Sequence, residues 1–202
     1  MNLNLLQTVA CVTLSLGAMG AQAQHALTVY AGYRGGGGFE QARSPYQSLD
    51  LRGSAAGSAS LDWDIDAGRQ VQLFTSYQST EIAAPGNGGG PLKLTVSYLH
   101  LGGTNFFEGT IGRGPYVVGG LGVTWMAPSE RGLSDEFRPS MNLGLGYQFP
   151  LADSVALRVE LRGYATLVNS ETNLFCSGGC VVQIKGQLLT QAELLTGLSF
   201  GF

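Results

Sequence analysis

Apolar and polar residues alternate along most of this chain with a period of two, most clearly over 186–202. There Leu188, Thr190, Ala192, Leu194, Thr196, Leu198, Phe200 and Phe202 form one nearly apolar row. Gln187, Leu189, Gln191, Glu193, Leu195, Gly197, Ser199 and Gly201 form the other, polar or small at most positions. Successive side chains of a β-strand point to opposite faces, so two unlike rows mean a strand between two unlike environments. The sequence ends on an aromatic residue. In water such a strand would be an aggregation hazard. In a membrane-spanning barrel the apolar row faces lipid, the terminal aromatics sit at the interface, and the strand closes the ring against the first one.

The same period predicts strands over 26–34, 49–64, 69–80, 92–101, 116–125, 140–149 and 155–168. In the second, Leu49, Leu51, Gly53, Ala55, Gly57, Ala59, Leu61 and Trp63 alternate with Asp50, Arg52, Ser54, Ala56, Ser58, Ser60, Asp62 and Asp64. In the fourth, Leu92, Leu94, Val96 and Tyr98 are the expected lipid row and Lys93, Thr95, Ser97 and Leu99 the inner one. In the seventh, Val155, Leu157, Val159, Leu161, Ala165 and Leu167 stand against Ala156, Arg158, Glu160, Arg162, Tyr164 and Thr166. Residues 65–68 and 150–154 read as short turns, 102–114 as a longer one holding Phe106 and Phe107, and 126–139 as a charged loop. Long polar connections follow the first, third, fifth and seventh strands. Short turns on the periplasmic side and longer loops outside are the habit of outer-membrane barrels. The expected fold is therefore all-β, an eight-stranded antiparallel up-and-down transmembrane β-barrel with both termini in the periplasm.

The aromatics agree with that orientation. Tyr33, Tyr77 and Trp125 fall at the upper, outer ends of their strands. Trp63, Tyr98, Tyr147, Phe149, Phe200 and Phe202 fall at the lower outward ends. Amphipathic rings at both interfaces form the girdles of such a barrel. The alternative is a soluble eight-stranded ligand barrel of the lipocalin kind, with its apolar rows turned inward and rows such as Asp50, Arg52, Asp62 and Asp64 at the surface. The terminal phenylalanine, the girdles and the N-terminus favour the membrane.

At the N-terminus, 5–18 is an apolar run and Ala21-Gln22-Ala23 fits a small-x-small cleavage site. A cleaved export signal over 1–23 is expected, cut between Ala23 and Gln24, with one barrel domain over 24–202. No Lys or Arg occurs in 1–7, which departs from the usual signal pattern. The alternative is a membrane anchor, but the run is shorter than the roughly 20 residues needed to span a bilayer and is broken by Gly17 and Gly20. Cys11 suggests a lipoprotein, but Thr8 stands where such signals carry Leu, so Cys11 is expected to leave with the signal. The chain of 202 residues carries a net charge of −3 and 31 glycines, which gives it no electrostatic draw toward nucleic acid. No cofactor or metal is indicated.

Four segments carry a family resemblance: Tyr98-Leu99-His100-Leu101-Gly102-Gly103-Thr104, Pro115 to Gly122, Leu157 to Tyr164, and the final Gly-Leu-Ser-Phe-Gly-Phe. The chain resembles the small outer-membrane β-barrels of Gram-negative bacteria, the group that includes the OmpA transmembrane domain and OmpX. It is most similar to a largely uncharacterised proteobacterial set. The resemblance spans essentially the whole mature chain. It implies the fold and an outer-membrane location, with lipid and lipopolysaccharide as surroundings. It also implies recognition of the C-terminal strand, ending at Phe202, by the barrel-assembly machinery. A monomer is expected. The resemblance implies almost nothing about activity.

Candidate chemistry lies in the lumen, which in an eight-stranded barrel has just room for side chains. Arg158, Glu160 and Arg162 share one face, about 7 Å apart at roughly 3.3 Å per residue. Folding the seventh strand against the eighth brings Arg162 or Tyr164 opposite Glu193. Glycines on the inner faces of the fifth and sixth strands leave volume for these long side chains. An interior salt-bridge network that plugs the barrel is the favoured reading; a gated ion path and a catalytic site are the others. Catalysis would need a base, and only His25 and His100 are available. His25 lies almost at the mature terminus. His100 continues the outward row of the fourth strand, as an interfacial residue, and the His-x-Ser-Asn pattern of lipid A deacylases is absent. No catalytic residue is expected.

Cys176 and Cys180 are the two cysteines of the mature chain. Export places them where disulfides form, and a bond at the tip of the fourth outer loop is expected over free thiols. Two cysteines are too few for a structural zinc site. The expected role is structural or envelope-maintaining. A surface-binding module acting through the outer loops and a narrow gated ion pore are the alternatives.

Overall fold

The computed structural model describes residues 25–40, 48–82, 91–130, 133–168, 173–174, 182–183 and 188–202. The expected signal over 1–23 and the pair Cys176 and Cys180 lie outside the described residues. Eight strands build the fold: β1 His25–Gly35, β2 Ser54–Asp64, β3 Arg69–Ile82, β4 Leu92–Phe106, β5 Gly114–Pro128, β6 Glu136–Ala152, β7 Val155–Leu167 and β8 Leu188–Gly201. Each pairs antiparallel with the next, and β8 returns to β1 from Ala26 opposite Gly201 to Gly35 opposite Ala192, closing the barrel. Backbone bonds between His25 and Phe202 finish the seam. Closure leaves no strand edge with unpaired amides, the condition for crossing hydrocarbon on strands. Two short ribbons, Gly38–Glu40 with Ser48–Asp50 and Asn173–Leu174 with Val182–Gln183, belong to the connections after β1 and β7.

The barrel wears its apolar residues outside. Leu121, Leu143, Leu145, Leu161 and Leu194 are each more than half exposed on the outer face. Thr28, Gln70, Gln72, Ser76, Gln148 and Glu193 are buried within. This inverts the partition of a water-soluble protein and matches a strand whose outward row meets lipid. The lipocalin alternative required the opposite facing.

At the end that bears the termini, Ile65 to Gly68 turn the chain tightly. The Gly68 amide donates to Asp66 Oδ1 (3.0 Å) and Arg69 Nε donates to Asp66 Oδ2 (2.6 Å). The Arg69 hydrogen bond, then the Gly68 amide, hold the exposed Asp66 carboxyl below the usual range.

Four expectations from the alternation need correction. The stretch 49–64 is not one strand. The Leu51 amide donates to the Gly37 carbonyl (2.9 Å), Leu51 bridges to Ile82, and its side chain turns inward, 5% exposed; β2 begins only at Ser54. The fourth strand faces the other way: Leu94, Val96, Tyr98 and His100 point into the barrel, while Leu99 and Leu101 face out. A one-residue change of phase reverses every side chain of a strand. The expected turn over 102–114 is shorter, because β4 runs to Phe106, which packs against Tyr116 at 5.2 Å; Phe107 is exposed. The expected loop over 126–139 shrinks likewise, because β5 runs to Pro128 and β6 resumes at Glu136.

Candidate functional site

The inward rows of all eight strands converge on a lumen filled in tiers. Nearest the termini, Arg158 on β7 reaches Asp62 on β2 at 2.9 Å. Its Nε donates to Gln148 (2.8 Å) and its Nη2 to Gln70 (3.3 Å). Asp62 also accepts from Ser60 (2.9 Å) and Gln72 (2.8 Å), so both charges are surrounded by partners.

The next tier joins Arg162 to Glu160 at 2.5 Å. Tyr116 on β5 donates to Glu160 (3.0 Å), and Arg162 donates to Gln72 (3.0 Å) with its guanidinium 3.6 Å above the Phe74 ring. A third pair lies toward the loops. Arg34 on β1 meets Glu193 on β8 at 3.1 Å and also bonds the Ser76 hydroxyl. Glu193 accepts from Tyr164 (2.5 Å) and Ser58 (3.2 Å). All six charged side chains are at most 1% exposed, three of each sign, each matched to one partner. Buried ions survive only when paired and hydrogen-bonded in this way.

An aromatic deck lies beside the third pair. Tyr98 and Tyr164 stack at 4.2 Å and 15°, and the Arg34 guanidinium lies 4.8 and 5.0 Å from their ring centres. The Tyr98 hydroxyl donates to Gln191 (2.7 Å). Tyr98 is 1% exposed, so it belongs to the lumen and not to an aromatic girdle. His100, also 1% exposed, is not interfacial. It stacks on Tyr98 at 5.5 Å, and its Nε2 lies 2.9 Å from the Ser140 hydroxyl. Its Nδ1 has no hydrogen-bond partner among the described residues, so this Ser–His pair lacks the orienting acid of a hydrolytic triad.

At the loop end the lumen turns apolar. Leu51, Ile82, Leu94, Val96, Met126, Val168 and Leu189 are buried together, with Leu92 and Leu133 against them. At the opposite end a polar vestibule of about 570 Å³ opens toward the termini, lined by Asp64, Gln70, Arg113, Gln148 and Arg158 among others.

Of the residues expected in one lumen network, the structure brings Glu160 and Arg162 into contact. It pairs Arg158 and Glu193 elsewhere. The strand register does set Glu193 opposite Arg162, but the guanidinium turns to Glu160 on its own strand. Alternation did not single out Arg34 and Asp62. Arg34 is the lone charge on its inward row, whereas Asp62 shares its row with Asp50, Arg52 and Asp64, so only Arg34 carried a signal of its own. Of the inner-face glycines on the fifth and sixth strands, Gly146 makes room for a tyrosine ring, since a Cβ there would collide with Tyr116, whereas Gly120, Gly122 and Gly144 lie against neighbouring backbone; on β8 a Cβ at Gly197 would collide with Tyr30. The other residues expected in the aromatic girdles point outward. Tyr33, Tyr77 and Trp125 lie toward the loops, and Trp63, Tyr147, Phe149, Phe200 and Phe202 toward the termini. Among the described residues no group of three or more His, Cys, Asp or Glu is placed to hold a metal ion.

No protein family and no curated protein matches this chain by sequence. Solved structures match it by shape. Neisserial surface protein A aligns at 16% identity with a TM-score of 0.54, covering 91% of this chain and 100% of that one. The outer membrane protein OprG from Pseudomonas aeruginosa aligns at 12% identity with a TM-score of 0.53, covering 91% and 98%. The outer membrane protein AlkL, determined in lipid bilayers, aligns at 13% identity with a TM-score of 0.53, covering 92% and 93%. At these identities the likeness is one of fold: this chain shares the eight-stranded barrel of known outer-membrane proteins.

Proposed function

We propose that this chain is an outer-membrane protein of a Gram-negative bacterium with a structural, envelope-maintaining role, its lumen plugged by interior charges. It is exported behind a signal removed between Ala23 and Gln24, and the C-terminal strand ending at Phe202 addresses it to the barrel-assembly machinery. The observation that carries the reading is the set of three buried ion pairs, Arg158–Asp62, Arg162–Glu160 and Arg34–Glu193, beneath an apolar tier. Each of these six buried charges is paired with another, so the middle of the lumen offers a passing ion no charged ring. Leu51, Leu94, Met126 and Leu189 line its loop end with side chains that solvate no ion. A plugged barrel acts through its outside: it occupies membrane, braces it, and presents loops.

The test is twofold. The mature protein, folded in detergent, should migrate differently on gels before and after boiling, and in planar bilayers it should give no discrete current steps. A chain recovered from the soluble periplasm with no heat-dependent shift would end the membrane reading. Steady single-channel currents would end the plug.

A further inference from the structure

On the outside of the barrel, just past the loop-end aromatics, lies a cleft of about 330 Å³ lined by Arg52, Gly53, Ser54, Ser79, Thr80, Glu81 and Lys93. Gly53 has no side chain, and the Tyr33 ring packs against that glycine where a Cβ would stand. The floor is also tied. The Ser54 hydroxyl donates to the Ser79 carbonyl (2.8 Å), and the Arg52 amide donates to the Glu81 carbonyl (2.9 Å). Two cations wall it. Arg52 touches Glu81 at 3.4 Å with its side chain 68% exposed. Lys93 stands opposite Glu81 in the strand register and makes no ion pair among the described residues. The cleft therefore holds two positive charges and one carboxylate, and the carboxylate pairs with Arg52 alone among the described residues.

The level of the cleft identifies its occupant. On β3 the outward row climbs from Tyr77 through Ser79 to Glu81, and Tyr33 on β1 borders Gly53 directly. Tyrosines on the outer face mark the edge of the hydrocarbon. Two cations immediately beyond that edge stand among headgroups, where each Lys or Arg is drawn to anionic lipid. The outer leaflet of such a membrane is a glycolipid that carries phosphates on its lipid A sugars. Guanidinium offers paired donors to phosphate oxygens and ammonium a point charge.

We propose that the cleft between Arg52 and Lys93 binds a phosphate of lipid A, with Glu81 orienting Arg52 at some cost in affinity. This rests on the outer-membrane reading and adds a defined lipid site to it.

The experiment is native mass spectrometry of the folded, detergent-solubilised protein with bisphosphorylated lipid A, against the same lipid stripped of its phosphates. Wild type should retain the phosphorylated lipid by at least about tenfold over the stripped one, as two headgroup-level cations imply. Arg52→Gln with Lys93→Gln should erase that preference, Glu81→Gln should increase it, and Arg69→Ala, at the opposite end, should leave it unchanged. Each variant is first checked for the heat-dependent gel shift. An unchanged preference in the double variant overturns the site, as does a folded wild type with no preference. A wild type without the heat shift overturns the membrane reading instead.

Discussion

Arg158 and Asp62 meet at 2.9 Å, from residues 96 positions apart in sequence. The contact links β7 to β2, and through Gln148, Gln70 and Tyr30 the same guanidinium reaches β6, β3 and β1. One side chain thus braces five of the eight strands. The pair borders the polar vestibule, whereas Arg162–Glu160 is farther from solvent. The two pairs therefore differ in how much water can reach a charge left alone.

Asp62→Asn should lower the temperature of the heat-dependent gel shift. Breaking one partner of a buried pair typically costs about 3–5 kcal/mol, and vestibule water should reduce that. Glu160→Gln leaves Arg162 unpaired in a drier tier and should cost more. Glu160→Gln with Arg162→Met removes one charge of each sign and should recover part of the loss. If Glu160→Gln melts with wild type, the inward tiers are not the dry network described.

The lipid face makes a second expectation that separates this barrel from a soluble one. Leu143 is 68% exposed on the outer face of β6. In water an exposed Leu→Arg change is nearly neutral. At the bilayer midplane an outward Arg costs about 2–4 kcal/mol. Leu143→Arg should therefore reduce folding yield into vesicles strongly, while Leu151→Arg, near the turn after β6, should be tolerated. Equal tolerance at both positions would contradict a lipid-facing wall.

What alternation revealed and what it hid follow from the same physics. In β3, β5, β6, β7 and β8 the outward row is mostly apolar and the inward row mostly polar or small, so the phase was legible. β4 defeats that rule because its loop end enters the apolar tier. There the inward residues, Leu94 and Val96, are the greasy ones, and the outward residues, Lys93 and Thr95, are polar. Leu99 and Leu101 set the true phase lower down. Misreading that strand is what sent Tyr98 to a girdle and His100 to an interface. Partner choice was hidden for a different reason. A period of two says which side chains enter the lumen, but not which of them meet across it. Arg34 therefore reached Glu193, and Asp62 reached Arg158, with no local signal. Leu51 left its row because its amide bonds to Gly37, a contact made by the loop and not by the strand.

The cysteines yield a third expectation. Cys176 and Cys180 should be joined in the exported protein and react with maleimide only after reduction. Immediate labelling of both in native outer membranes would mean free thiols. Reduction should change loop accessibility and leave the gel shift intact, because a ring this short adds little entropic stabilisation.

The last expectation asks which layer of the plug blocks ions. Leu51 closes the loop end above the Arg34–Glu193 pair, held there by its bond to Gly37 and its bridge to Ile82. Leu51→Ser should weaken the seal and admit water to the aromatic deck. Truncating a buried Leu typically costs about 2–5 kcal/mol, so the heat shift should move to lower temperature. Current should still be absent, because Arg34, Glu193 and the stacked Tyr98 and Tyr164 fill the lumen beneath. Adding Arg34→Ala and Glu193→Ala together removes one charge of each sign and leaves neither ion stranded. That triple variant should give measurable, brief current steps in planar bilayers where the Arg34→Ala and Glu193→Ala double variant, with Leu51 in place, gives fewer. If Leu51→Ser alone conducts, the apolar tier is the barrier and the ion pairs are braces for the wall. If the triple variant folds and stays closed, the lower pairs Arg162–Glu160 and Arg158–Asp62 suffice to stop ions by themselves.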